Sequence, residues 1–160
     1  MISKQQLHEL FEYKDGVLYW KVSRSNRIKI GQKAGSISQD KRERININRK
    51  LLLTHRIIFA MHHDYWPQYV DHIDNDKSNN KIENLRATTV HQNQWNRKLG
   101  CQNKSGIKGV SFDKNRNKWV AEIRNNNKKI FLGRFNSIAD AEKTVKIARQ
   151  QVHGEFARDF

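Results

Sequence analysis

The chain has 160 residues, room for one ordinary domain or two small ones, and its 31 Lys and Arg against 16 Asp and Glu give a formal charge of +15. That excess favours polyanionic partners, because each phosphate neutralised by a cation releases condensed counterions. No apolar run approaches the ~18 residues of a spanning helix, MISKQQLHELF lacks a signal peptide's apolar stretch, and the lone Cys101 excludes a disulfide framework or a Cys-rich zinc site, so a soluble, intracellular (cytoplasmic) protein is expected.

In chain order, Ser3 is placed to cap a short helix with Leu7, Leu10 and Phe11 as its apolar stripe. Asp15-Gly16 signals a turn before the strand Val17-Leu18-Tyr19-Trp20. Residues 23–33 are basic and unpatterned, and read as a loop. Lys33 to Ser38 and Glu43 to Asn48 read as strands around a polar turn, with Ile45 and Ile47 on one face and Arg44, Asn46 and Asn48 on the other. Thr54 caps a helix, HRIIFAMHH, whose Ile57, Ile58 and Met61 are core candidates. His55 and His62 share a helical face there, a spacing that packed or solvent-facing histidines show more often than metal ligands do. Trp66 and Pro67 end that element. A ββα unit of ~30 residues buries too little surface to stand alone, so this half is expected to wall the unit that follows it.

The chemistry concentrates in Tyr69 to Leu99, YVDHIDNDKSNNKIENLRATTVHQNQWNRKL, which reads as strand, polar loop, short strand (Leu85 to Thr89) and helix from Val90 to about Leu99. Eleven residues separate His72 from Asn84, and eight separate Asn84 from Asn93. Asp71 supplies a hard carboxylate oxygen, and Asn93, one turn into the helix, can turn an amide oxygen to the same point; such donors suit Mg²⁺ or Mn²⁺. Neutral His72 can accept a proton from water near pH 7. In a regular strand it would face away from Asp71 unless the strand ends or bulges there. A base, an oxygen-ligated ion and a basic chain together suggest phosphodiester hydrolysis. A calcium loop on Asp74, Asp76 and Ser78 lacks its glycine, with Asn79 there instead, and its closing glutamate, replaced by Leu85. An Asx-rich structural turn with a chance histidine is the plainer alternative.

Asp71-His72, Asn84 and Asn93 resemble the ββα-metal motif of HNH endonucleases, in the variant whose last histidine is asparagine. The surrounding HIDNDKSNNKIENLR is similar to phage and intron-encoded homing enzymes, over roughly residues 50 to 99. The resemblance implies His72 as general base, Asp71 and Asn93 as ligands of one Mg²⁺ or Mn²⁺, and Asn84 as the residue tying the loop to the hairpin. Arg86, Arg97 and Lys98 are candidates for gripping the phosphate.

After Leu99, residues 100–106 (GCQNKSG) read as a linker. Three strands (IKGVSF, KWVAEIRN, KKIFLGRF) and a helix capped by Ser137 follow. Ile138, Ala141, Val145, Ala148 and Val152 fall at helical spacing and cover the Trp119, Ala121 and Ile123 face of the sheet. Between Arg97 and Phe135 stand eleven Lys or Arg and two acids, so the opposite face is basic and suits a DNA groove. A merely solvated basic surface is the alternative. SGIKGVSFDKNRNKWVAEIRNNNKKIFLGRF and its helix resemble the plant ethylene-response-factor (Apetala-type) DNA-binding domain over about residues 105 to 157. By position that implies DNA contact from Lys108, Ser111, Glu122, Arg124, Lys129 and Phe131. Ser111 and Asp113 replace common arginines of that family, and Lys108 replaces another, so the plant target sequence does not transfer.

The expected fold is α+β: an HNH nuclease domain over 1–99 with its ββα-metal core at about 68–99, a linker over 100–106, and a three-stranded sheet plus helix over 107–160. The expected function is that of a divalent-metal-dependent HNH homing endonuclease that nicks double-stranded DNA, of phage origin and with no membrane or obligate protein partner. A sequence-specific DNA-binding regulator carrying an inactive nuclease unit stays open, as does, on fewer exposed aromatics, an RNA-binding protein.

Overall fold

A computed structural model describes residues 2–25, 27–95, 99 and 102–157 of the chain. It is an α+β protein that divides into two compact units, Met1–Thr88 and Thr89–Phe160. Among the described residues no helix is long and apolar enough to cross a membrane.

The first unit opens with α1 (Lys4–Leu10), closed by a reciprocal cap: the Gln6 N–H donates to Ser3 Oγ at 3.2 Å, and the Ser3 N–H donates to Gln6 Oε1 at 3.0 Å. Phe11 does not extend the helical stripe, as the sequence suggests, but starts a strand. β1 (Phe11–Lys14) and β2 (Val17–Trp20) form a hairpin around Asp15-Gly16, whose φ values of 46° and 85° make a left-handed two-residue turn. The reason is a long-range pair: Phe11 is 1 % exposed and its ring lies 4.6 Å from that of Trp20 across the hairpin.

Residues 23–25 and 27–33 are irregular apart from isolated pairings of Ser25 with Ile28 and Tyr19 with Lys33. A small antiparallel sheet then runs β3 (Ser36–Ile37), β4 (Glu43–Ile47), β5 (Lys50–Leu53), in that order. β3 is shorter than the pattern suggests, and β5 is additional. It forms because Asn48 and Arg49 both take left-handed backbone (φ 50° and 64°) and fold Lys50 onto Ile47.

Helix α2 (Thr54–His63) is the centre of the unit. Its Ile57, Ile58, Phe59, Ala60 and Met61 are buried, together with Leu7, Phe11, Leu18, Trp20, Ile45 and Ile47. Leu53, not Thr54, holds the N-cap position, and makes no side-chain capping bond; Thr54 is drawn into the helix and fully buried. Leu85 joins the same core, so the two-stranded ribbon of β6 (Tyr69–His72) and β7 (Leu85–Thr88) leans on α2. The apolar wall that a small ribbon needs is therefore supplied by the preceding residues.

In the second unit, α3 (Val90–Trp95) has a cap missed in the sequence pattern: the Gln92 N–H donates to Thr89 Oγ1 at 3.3 Å and the Thr89 N–H to Gln92 Oε1 at 2.8 Å. Trp95 stacks on His153 with ring centroids 4.3 Å apart. β8 (Val110–Asp113), β9 (Lys118–Asn125) and β10 (Lys128–Phe135) form an antiparallel sheet with β9 central. Asn126 and Asn127, at φ 46° and 65°, turn β9 into β10. α4 (Ile138–His153), capped by Ser137, covers one face through Ala141 and Val145, against Val110, Ala121 and Ile123.

Candidate functional site

β6 and β7 pair without a bulge, Asp71 opposite Arg86 and His72 opposite Leu85, and β6 ends at His72. Alternation along the strand therefore separates the two neighbours. Asp71 meets Arg86 across the ribbon, with Nη2 to Oδ2 at 3.4 Å. His72 turns inward, is 6 % exposed, and its Nε2 lies 2.9 Å from Oδ1 of the buried Asn80. Two neighbouring residues of one strand thus end in different surroundings, one ionic and one enclosed.

Asn84 closes the loop between the strands. Its Oδ1 accepts the Asp74 N–H at 3.0 Å, and its Nδ2 donates to Asp74 Oδ1 at 2.9 Å and to the Asn79 carbonyl at 2.8 Å. Its own carbonyl accepts the Ile73 N–H at 2.9 Å. Burial works to raise the Asp74 carboxyl, but hydrogen bonds from the Asp76 N–H and the Asn79 and Asn84 amides outweigh it and hold the group below the usual carboxylate range. The acids of this loop are spent on the loop's own N–H and amide donors, an Asx architecture that fixes its shape.

His55, on the first turn of α2, is a site neighbour that the sequence does not reveal. Its ring meets that of His72 edge to face, centroids 4.9 Å apart and planes at 64°. Burial first, then the fields of His72, Arg42 and Arg56, push its pKa down to about 3. The unfolded chain protonates this histidine near pH 6.5, whereas the folded chain does not until about 3. Its contribution to stability is therefore complete above pH 6.5 and is lost as the pH falls, by up to ~1.4 kcal/mol per unit. Thermal melts between pH 7 and 5 should show the midpoint falling in the wild type and a flatter profile in His55→Leu. Equal slopes in the two proteins would refute this role for His55. His62 is occupied differently, its Nδ1 lying 2.8 Å from the Ile58 carbonyl.

A divalent ion is implied by the motif, and the Asp71 carboxylate is a donor of the kind such an ion takes. Asp71 offers a partly buried carboxylate on β6, and Asn93 stands on α3 of the other unit. Hard oxygen donors of this kind suit Mg²⁺ or Mn²⁺ with water completing the shell. Among the described residues no three His, Cys, Asp or Glu side chains group as a metal cluster. Arg86 is directed to Asp71. Arg97 and Lys98 lie outside the described residues.

In the second unit, the cross-strand register brings Ser111, Glu122, Arg124, Lys129 and Phe131 onto the sheet face away from α4. Phe131 is 54 % exposed, with the Arg134 guanidinium 5.0 Å from its ring centre. Lys129 pairs with Glu122 at 2.6 Å, so this acid balances one cation of the face. A bulge follows Phe131 and sends Leu132 into the core. Lys108 precedes β8 and is placed elsewhere: its Nζ donates to the Trp95 carbonyl, and its own carbonyl accepts from Arg149.

Residues 52–95, from the end of β5 through α3, match the family model for HNH endonucleases. Protein 3.8 of Escherichia phage T7 is 33 % identical over 90 residues, covering 56 % of this chain and 74 % of that protein. A protein named as an uncharacterized HNH endonuclease of Acanthamoeba polyphaga mimivirus is 33 % identical over 89 residues, 56 % of this chain and 45 % of that protein. No solved structure matches.

Proposed function

The chain belongs to the HNH endonuclease family, and from that premise we propose that it is a divalent-metal-dependent endonuclease of the homing type that nicks duplex DNA. The observation that carries the reading is His72, an enclosed imidazole with a fixed hydrogen-bond partner, next to Asp71 in the sequence and within the matched segment. His72 takes a proton from the attacking water as the general base. An Mg²⁺ or Mn²⁺ ion, for which the family resemblance implies Asp71 and Asn93 as ligands, would supply the positive charge that stabilises the phosphate and the leaving 3′-oxygen. Asn84 keeps the loop closed behind the base through its bonds to Asp74 and Asn79. Hydrolysis in this sense leaves 5′-phosphate and 3′-hydroxyl ends.

The second unit holds the duplex. Its open sheet face carries Ser111, Arg124, Lys129 and Phe131 on one side, and a cationic sheet with an exposed aromatic suits a DNA groove. Three antiparallel strands covered by one helix support the likeness to the Apetala-type domain. On the sequence pattern, Arg97 and Lys98 add phosphate contacts near the motif.

One base per chain predicts one cut per binding event. On supercoiled plasmid, or on DNA of the genome that encodes the chain, open circles should accumulate before linear product when Mg²⁺ is present. EDTA should abolish the reaction. Linear product at the first turnover would overturn nicking, and intact DNA of both kinds with Mg²⁺ or Mn²⁺ would overturn the nuclease reading.

A further inference from the structure

A general base needs one ring nitrogen free of its proton and aimed at water, and something must decide which nitrogen that is. In His72 the two nitrogens are in different surroundings. Nε2 lies 2.9 Å from Oδ1 of Asn80, while Nδ1 has no hydrogen-bond partner among the described residues. Asn80 is itself 5 % exposed, so its amide is an interior group and not a surface side chain swung in by chance. The edge of the His55 ring closes another side of the imidazole.

Asn80 is held in turn by the N-terminal hairpin. A Cβ on Gly16, at the β1–β2 turn, would lie 2.8 Å from the Lys81 backbone N and 2.9 Å from the Asn80 carbonyl carbon. The turn therefore presses directly on the Asn80–Lys81 peptide, at a distance open to glycine alone. One residue further on, the Ile82 N–H donates to Tyr13 Oη at 3.0 Å. The Asn80 N–H donates to the Ser78 carbonyl at 3.1 Å, which bends the loop back on itself.

We propose that Asn80 is the positioning residue of the general base: its amide oxygen accepts the Nε2–H of His72, keeps the proton there, and leaves Nδ1 as the nitrogen that takes a proton from water. The β1–β2 hairpin, through Gly16 and Tyr13, is the brace that holds Asn80 in place. This rests on the nuclease reading of His72 and gives the N-terminal segment a role in the reaction geometry. The neutral state of His55 fits the arrangement, since a second cation is not set against the imidazole. Turning the Asn80 amide over would present its NH₂ to Nε2, move the ring proton to Nδ1 and remove the base.

The test joins a spectroscopic and a kinetic readout on the full chain. In metal-free protein, ¹⁵N–¹H spectra should contain a protected ring N–H resonance on Nε2 of His72, assigned by its loss in His72→Gln. It should persist in Asn80→Asp, which keeps an acceptor, and vanish in Asn80→Leu, which is of similar size and has none. With Mg²⁺, Asn80→Leu should nick saturating supercoiled plasmid ~10–100-fold more slowly at unchanged plasmid affinity, the range typical for loss of a group that orients a reacting side chain. Asn80→Asp should keep most of the rate, and Gly16→Ala should fall between the two. Circular dichroism would verify that each variant is folded at the assay temperature. The proposal is overturned by a resonance absent in the wild type, carried on Nδ1, or surviving in Asn80→Leu, and equally by wild-type nicking in Asn80→Leu. A wild type that cuts nothing would sink the nuclease reading, yet the spectra would still decide whether Asn80 fixes the ring.

Discussion

His72→Ala should lower the rate of plasmid nicking by about 10²–10⁴-fold, the usual contribution of a positioned general base. DNA affinity should stay within a few-fold, because the side chain is enclosed (6 % exposed) and the cationic face of the second unit is untouched. The substitution also leaves the Asn80 amide oxygen without its donor, which costs about 1–3 kcal/mol of stability for a buried polar group. The measurement is a single-turnover nicking rate with Mg²⁺, with binding followed by gel shift on the same DNA and a melt to verify folding. Residual activity near that of the wild type would remove His72 from the mechanism. Loss of binding in step with loss of cutting would mean that the residue supports the fold and not the chemistry.

Gly109→Ala should destabilise the second unit by about 3 kcal/mol, through a left-handed backbone combined with an overlap that cannot relax. Gly109 has φ +80°, and a Cβ there would run into the Glu122 backbone carbonyl. The close approach is part of the sheet, since the Glu122 N–H donates to the Gly109 carbonyl at 2.8 Å. A unit of this size should lose roughly 15 °C in melting midpoint, and DNA affinity should fall with it, because Glu122, Arg124 and Ser111 are set by the same register. Gly106→Ala is the matched control. Its φ is +73° but a Cβ would meet nothing within 4 Å, so only the backbone cost of about 1 kcal/mol should appear. Equal effects at the two glycines would show that the collision at Gly109 relaxes, and that conformational preference alone sets the cost.

Composition and local spacing determined much about this protein. The charge of +15 points to a polyanion without reference to any fold. The strand–loop–strand–helix order around Asp71, His72 and Asn84 is legible because its signals are short-range: an Asx-rich loop, a turn, and alternation over four residues. The second unit is legible for the same reason, since the Asn126-Asn127 turn and the spacing of Ala141 and Val145 each lie within one element and its neighbour. Tertiary structure decided the rest. β1 and β5 exist because Phe11 packs on Trp20 and because Asn48-Arg49 folds Lys50 onto Ile47, and neither strand alternates clearly enough to be read alone. The surroundings of His72 come from three separate stretches: Asn80 in the loop, His55 on α2, and Gly16 and Tyr13 on a hairpin far earlier in the chain. Periodicity reports which face of its own element a residue occupies. Which nitrogen of an imidazole keeps its proton depends on an acceptor brought to 2.9 Å by packing, and that information exists only once the chain has folded.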